Sequence, residues 1–134
     1  MSSRGSAHDR APPFAGIVAV VDDDESVRRA LRRLLISHGV KVRVHGTGRD
    51  FLHSAVMHEV DCLILDVHMP GLSGMEVLDE VRTAASKLPV VLMTGRYDAD
   101  FAERSLAAGA SAFLRKPFGD AELFAAIRTA THRP

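Results

Sequence analysis

Five times along this chain a short strand-like run, mostly apolar, is followed by a helical stripe. Ile17–Val21 is the first such run, of the kind a strand buried on both faces requires. Behind it Asp24 is placed to cap a helix. Val27, Ala30, Leu31, Leu34 and Leu35 then fall at i, i+3, i+4, i+7 and i+8, a single apolar stripe ended by Gly39. Val40, Val42 and Val44 alternate with Lys41 and Arg43, which predicts a wetter strand near a sheet edge. Thr47 opens a helix predicted to carry Phe51, Leu52, Ala55 and Val56.

The pattern then repeats. Cys62–Leu65 is a buried strand that ends at Asp66, and Met69-Pro70-Gly71 breaks the chain. Ser73 with Glu76 three residues on is a capping box, opening a helix that carries Met75, Leu78 and Val81. Pro89 precedes the strand Val90–Met93, which ends at Thr94. Asp98 starts a helix that Gly109 stops. Ala112–Arg115 is a short strand ending at Lys116-Pro117, and Asp120 is placed to cap a last helix with Leu123, Phe124 and Ile127 inward. Strict strand–helix alternation implies a parallel sheet with helices on both faces and right-handed crossovers.

At 134 residues this is one domain, long enough to bury a core without a disulfide or metal staple. The single cysteine, Cys62, excludes an intrachain disulfide and a four-thiolate zinc site, and sits in a buried strand as an inert thiol. Lys plus Arg and Asp plus Glu are both 17, so the basic excess of a nucleic-acid binder is missing. The longest apolar stretch, Ala15–Val21, falls far short of the about 20 residues a membrane span needs, and the N-terminus lacks a signal-peptide core. The expectation is a cytoplasmic protein with no membrane partner: a flexible leader over 1–15 and the domain over 16–134.

In such sheets ligands sit beyond the carboxyl ends of the strands, where strand order reverses. Asp22, Asp23 and Asp24 follow the first strand, Asp66 the third, Thr94 the fourth and Lys116 the fifth. If the order is 2-1-3-4-5, strands one and three flank the reversal and both deliver carboxylates there. Two like charges about 4 Å apart cost on the order of 4 kcal/mol at an effective dielectric near 20. Either one carboxylate holds a proton or a cation sits between them. An all-oxygen set with few protein ligands suits Mg²⁺, which completes its shell with water and phosphate oxygens. With a lysine and a hydroxyl alongside, a carboxylate is equipped to attack phosphorus and carry an aspartyl phosphate. Taken singly, each residue has a plainer reading as a helix cap, a turn residue, a strand former or a surface lysine. Their convergence on one rim is what those readings leave unexplained.

The segments Val20-Val21-Asp22-Asp23-Asp24-Glu25, Leu63-Ile64-Leu65-Asp66-Val67-His68-Met69-Pro70-Gly71, Met93-Thr94-Gly95 and Arg115-Lys116-Pro117-Phe118 resemble the receiver domains of two-component response regulators. The resemblance covers Gly16 to about Arg128. The three opening aspartates, Phe51-Leu52 and Thr94-Gly95 look most like the FixJ-type branch, which often carries a DNA-binding domain after the receiver. The resemblance implies a flavodoxin-like (βα)5 doubly wound sheet of order 2-1-3-4-5. It implies that Asp66 accepts a phosphoryl group from a sensor histidine kinase. Asp22, Asp23 and Asp66 would hold Mg²⁺ with the backbone carbonyl of His68. Lys116 would pair with a phosphate oxygen, Thr94 would move to bond another, and Phe113 would turn inward as the switch aromatic. It further implies a cis Lys116-Pro117 bond, chemistry limited to the domain's own phosphorylation and dephosphorylation rather than enzymatic turnover, and a possible phosphorylation-dependent homodimer.

Other signals carry less. Gly46-Thr47-Gly48 lacks the third glycine of a dinucleotide loop, since Phe51 stands there. His53 and His58 do not share a helical face, and the histidines read as solvated. Arg28, Arg29, Arg32 and Arg33 read as a solvated face of the first helix, with kinase docking or a dimer contact as the functional alternative. The methionines read as core filler. A haloacid-dehalogenase-type phosphatase would want an aspartate where His68 stands, and a longer chain. The function expected is a phosphorylation switch controlling an output, either transcription or, as a stand-alone receiver, phosphate shuttling or partner binding; the rival class is a phosphorylation-independent protein-interaction module.

Overall fold

The computed structural model describes residues 12–85, 87–96 and 98–132. Most of the predicted leader therefore lies outside the described residues; at its end, Phe14 packs against the core. Five parallel strands run in the order β2-β1-β3-β4-β5. They are β1 (Ile17–Val21), β2 (Lys41–His45), β3 (Cys62–Asp66), β4 (Val90–Thr94) and β5 (Ala112–Arg115). The helices are α1 (Glu25–Ser37), α2 (Gly48–Leu52), α3 (Gly74–Ala84), α4 (Ala99–Ala107) and α5 (Asp120–Thr131). Among the described residues no helix is long and apolar enough to cross a membrane.

The apolar runs form the centre of the sheet because both of their faces are covered. Every residue of β3 and β4 is buried. Alternate residues feed two cores. Val18, Val20, Cys62, Ile64, Val91 and Met93 face α1 and α5, where Leu31, Leu35, Leu123 and Ile127 meet them. Ala19, Val21, Leu63, Leu65, Val90 and Leu92 face the other side, against Phe51, Val77, Leu78, Val81 and Phe101. The edge strand β2 keeps Lys41 and Arg43 exposed, as its alternation predicts.

Predicted caps close most helices. Asp24 accepts from the Ser26 and Val27 amides, Thr47 from Asp50, and Asp98 from Phe101. Ser73 and Glu76 form the capping box. Gly39 and Gly109 take positive φ of 79° and 101°, the left-handed turn that ends a helix. Two boundaries differ from expectation. The helix opened by Thr47 stops at Leu52; Ser54 then caps a separate 3-10 turn, Ala55–His58, by accepting from the Val56 amide. A serine that can bond its own downstream backbone competes with the helical ladder there. The cap of α5 is Gly119 rather than Asp120, whose neighbour Glu122 reaches back to accept from the Gly119 amide at 2.7 Å.

Candidate functional site

Strand register delivers the site. Val21 pairs with Leu65, so the next residues, Asp22 and Asp66, emerge side by side. Thr94 pairs with Arg115, which places Lys116 one step beyond, its amide donating to the Thr94 carbonyl at 2.8 Å. Asp22 and Thr94 are fully buried, Asp66 is 4% exposed, and Asp23 stands at the exposed mouth. One carboxylate oxygen each from Asp22, Asp23 and Asp66 lies within 4.8 Å of the others. This all-oxygen donor set fits a small hard cation.

Lys116 lies among them. Its ammonium donates to Asp22 Oδ2 at 3.0 Å and to Asp66 Oδ1 at 3.2 Å. Burial works against the charged ammonium, yet the hydrogen bond and charge of Asp22, joined by those of Asp66, outweigh it and hold the Lys116 pKa above the usual lysine range. Asp66 is displaced the other way from easy ionisation. Burial and then the Asp22 charge push its pKa up, only partly offset by Lys116. A single lysine does not neutralise three carboxylates, and the cluster therefore favours a further cation.

The alternation of the sheet sorts the remaining residues. Asp22, Asp66 and Lys116 continue the positions that face α1 and α5, whereas Thr94 continues those that face α3 and α4. The Thr94 hydroxyl accepts from the Arg96 amide at 2.9 Å. Phe113 shares that second face, half-buried and edge-on to Phe101 of α4, with ring centroids 5.8 Å apart. The Lys116-Pro117 bond is cis. His68 lies on the loop after β3 with its side chain exposed, as does Arg96 after β4. Gly74, at the start of α3, backs the site. A Cβ there would collide with the Asp66 carbonyl oxygen and lie 2.7 Å from Val67 Cα.

Three sequence expectations are corrected here. Arg28 is not simply part of a solvated face: it is half-buried, and its guanidinium donates to the Asp22 carbonyl at 2.8 Å. Arg29, by contrast, forms an exposed pair with Glu25 at 3.0 Å. Nor are all the histidines solvated. His45 is 10% exposed in its side chain, bonded to Asp50 at 2.9 Å, and His38 packs against Phe124. Neither contact is written in helical or strand periodicity, because each depends on which element the fold brings alongside, α2 for His45 and α5 for His38. Ala30, expected in the apolar stripe of α1, is exposed. It lines an open cavity of about 530 Å³ beside the site with Val27, Leu34, Pro117 and Phe118.

Comparison with known proteins agrees with this geometry. The family model described as "Response regulator receiver domain" matches residues 18–128. The transcriptional regulatory protein FixJ of Azorhizobium caulinodans is 40% identical over 116 residues, covering 87% of this chain and 55% of that protein. Nodulation protein W of Bradyrhizobium diazoefficiens is 38% identical over 130 residues, covering 97% of this chain and 57% of that protein. The chain thus spans about half the length of these relatives. Among solved structures, FixJ-N superposes with a TM-score of 0.77 at 33% identity, covering 88% of this chain and 94% of that one. The Vibrio cholerae chemotaxis protein CheY4 gives 0.82 at 28% identity, covering 87% and 99%. The chain belongs to the response regulator receiver domain family, with the flavodoxin-like (βα)5 fold of two-component signalling.

Proposed function

We propose that this domain is a phosphorylation switch in which Asp66 takes a phosphoryl group from a phosphohistidine of a sensor kinase. The observation that carries the reading is the Asp22, Asp23, Asp66 cluster with Lys116 bonded into it. In the transfer an Asp66 carboxylate oxygen attacks phosphorus, the phosphorus–nitrogen bond breaks, and its electron pair leaves on the imidazole. The product is an acyl phosphate on Asp66. Lys116 neutralises charge gathering on the phosphoryl oxygens. Mg²⁺, held by Asp22, Asp23, Asp66 and the His68 carbonyl, would supply Lewis-acid stabilisation of those oxygens. The domain acts on itself once per signal and is not an enzyme in the usual sense.

The new charge then draws the Thr94 hydroxyl away from the Arg96 amide. Space opens on the α4 side of the sheet, where Phe113 rotates inward. The surface of α4, β5 and α5 is the output face, suited to a phosphorylation-dependent homodimer. The apolar cavity between α1 and Pro117-Phe118 is the docking place for the kinase, since it lies directly beside Lys116. A relative named as a transcriptional regulatory protein supports transcription control as the output, with a stand-alone receiver acting on a protein partner as the other form of the same switch. We read this domain as cytoplasmic, with no nucleic-acid contact of its own.

The test is incubation with acetyl phosphate and Mg²⁺, read by intact mass and sedimentation together. Wild type should gain one phosphoryl group and associate; a mass gain that persists in Asp66→Ala would contradict the assignment.

A further inference from the structure

Asp22 is held at every polar handle it has. Its amide donates to the His45 carbonyl at 3.2 Å, which continues the β1–β2 ladder one residue past the strand. Its Oδ1 accepts from the Asp24 amide at 2.9 Å and its Oδ2 from Lys116 at 3.0 Å. The remaining handle is its carbonyl, and Arg28 takes it at 2.8 Å. That carbonyl belongs to the peptide joining Asp22 to Asp23. Fixing the plane of this peptide sets the N–Cα bond of Asp23 and so narrows the directions in which its exposed carboxylate can leave the chain.

Arg28 reaches this position because α1 runs back over the rim. Its own amide bonds the Asp24 carbonyl at 3.0 Å, in the first turn of the helix. The guanidinium then lies against Gly46 in the loop after β2. A Cβ on Gly46 would stand 3.2 Å from Arg28 Nη1 and 3.5 Å from Cζ. The arginine therefore lies between a glycine and the carbonyl it holds, and a side chain on Gly46 would crowd the guanidinium in that position. Arg29, one residue on, carries the same charge outward to Glu25 with 64% of its side chain exposed.

We propose that Arg28 is a positioning residue for the cation site: through the Asp22 carbonyl it orients the Asp22–Asp23 peptide, so that both carboxylates face one ion. This rests on the cation reading above. Charge alone predicts the opposite effect, because removing a nearby positive group should strengthen cation binding. The geometric role and the electrostatic one thus differ in sign. Groups that orient ligands without touching the ion commonly carry roughly tenfold or more in metal affinity.

The experiment is calorimetric titration of the full chain with MgCl₂. The proteins compared are wild type, Arg28→Ala, Arg28→Lys, Gly46→Val, Arg29→Ala and Asp22→Asn, each first shown to melt cooperatively. Arg28→Ala and Gly46→Val should weaken Mg²⁺ binding by roughly tenfold. Arg28→Lys, which keeps a charged donor, should recover most of the loss, and Arg29→Ala should bind as wild type. In metal-free protein the Asp23 amide nitrogen resonance should move in Arg28→Ala and stay in place in Arg29→Ala, because it reports the hydrogen bond to the preceding carbonyl. Equal or tighter binding by Arg28→Ala, with Asp22→Asn weakened, would overturn the role of Arg28 and leave the cation reading standing. Unchanged binding in Asp22→Asn would overturn the cation reading, and the positioning role with it. If Arg28→Ala and Gly46→Val do not melt cooperatively, the Lys variant decides: near wild-type affinity with the Asp23 resonance close to its wild-type position is expected, and wild-type affinity with that resonance moved, or loss of affinity beyond tenfold with it unmoved, would overturn the proposal.

Discussion

Lys116 donates to Asp22 Oδ2 at 3.0 Å, closer than to Asp66 at 3.2 Å, although 94 positions separate the lysine from Asp22 along the chain. The lysine thus joins strands β1, β3 and β5 at one point and partly fills the place a cation would take. Removing it has two consequences of opposite sign. Lys116→Met should lower the stability of the metal-free protein by on the order of 1–3 kcal/mol, because two buried carboxylates lose a charged donor. It should also tighten Mg²⁺ binding several-fold, because the ion no longer competes with an ammonium. Thermal melts with and without Mg²⁺, alongside a calorimetric titration, check both parts. A variant that loses stability and also binds Mg²⁺ more weakly would contradict the account.

Asp66 gives a pH prediction. Its pKa lies above the ordinary carboxylate value of 3.8, first because it is buried and then because Asp22 is near. The folded state therefore holds this proton more tightly than the unfolded chain. As pH rises from about that ordinary value through the raised folded value, ionisation costs stability, and above it the whole penalty applies. Asp66→Asn should thus stabilise metal-free protein at neutral pH by on the order of 1 kcal/mol, the usual scale of a single-site effect. The gain should vanish in acid, where Asp66 is neutral in both states. Lys116 acts at the other end of the scale: its raised pKa contributes stability that is present below the usual 10.5 and lost as pH rises through the folded value. Urea titrations of wild type and Asp66→Asn across pH measure the first effect directly.

Gly74 sits where α3 meets the backbone of Asp66. Its amide donates to the Val67 carbonyl at 3.0 Å, and a Cβ would strike the Asp66 carbonyl oxygen. Because the obstacle is backbone, it cannot swing aside. Gly74→Ala should destabilise the fold by about 1–3 kcal/mol, as overpacking of a tight core does. It should also slow acetyl phosphate labelling of Asp66. A melting temperature equal to wild type would show that α3 does not brace this strand end.

Much of this arrangement was legible from residue type alone. The rim residues Asp22, Asp66, Thr94 and Lys116 stand out because each ends an apolar run, and parallel strands must release their polar residues at the same edge. Other features were not legible, for local reasons. Ser54 fits a helix interior in the apolar pattern, and only its bond to Val56 shows that it starts a new turn. Asp120 and Gly119 are both acceptable caps, and the reach of Glu122 decides between them. Arg28 falls on the polar side of α1, where periodicity cannot distinguish an arginine in water from one bent back over the helix start. The burial of Cys62 was expected; it pushes the thiol pKa up to about 12.

Thr94 and Phe113 lie on the α4 face of the sheet, while the ionic cluster lies on the other. In the proposed switch the signal crosses at the Thr94 hydroxyl, which here accepts from the Arg96 amide. Thr94→Ala should accept phosphate normally and lose the coupled association, with a coupling of about 1–3 kcal/mol removed. Sedimentation of phosphorylated wild type and Thr94→Ala over a concentration series reads this. Equal association of the two would place the switch elsewhere.

The central claim is that Asp66 carries the phosphoryl group, and one measurement tests it most directly. Wild type and Asp66→Ala are incubated with acetyl phosphate and Mg²⁺, and peptide mass spectrometry locates any modification. The account predicts a single acyl phosphate on the peptide containing Asp66 in wild type, absent without Mg²⁺ and absent in Asp66→Ala. Phosphate found on another residue of wild type, or undiminished labelling of Asp66→Ala, would contradict it.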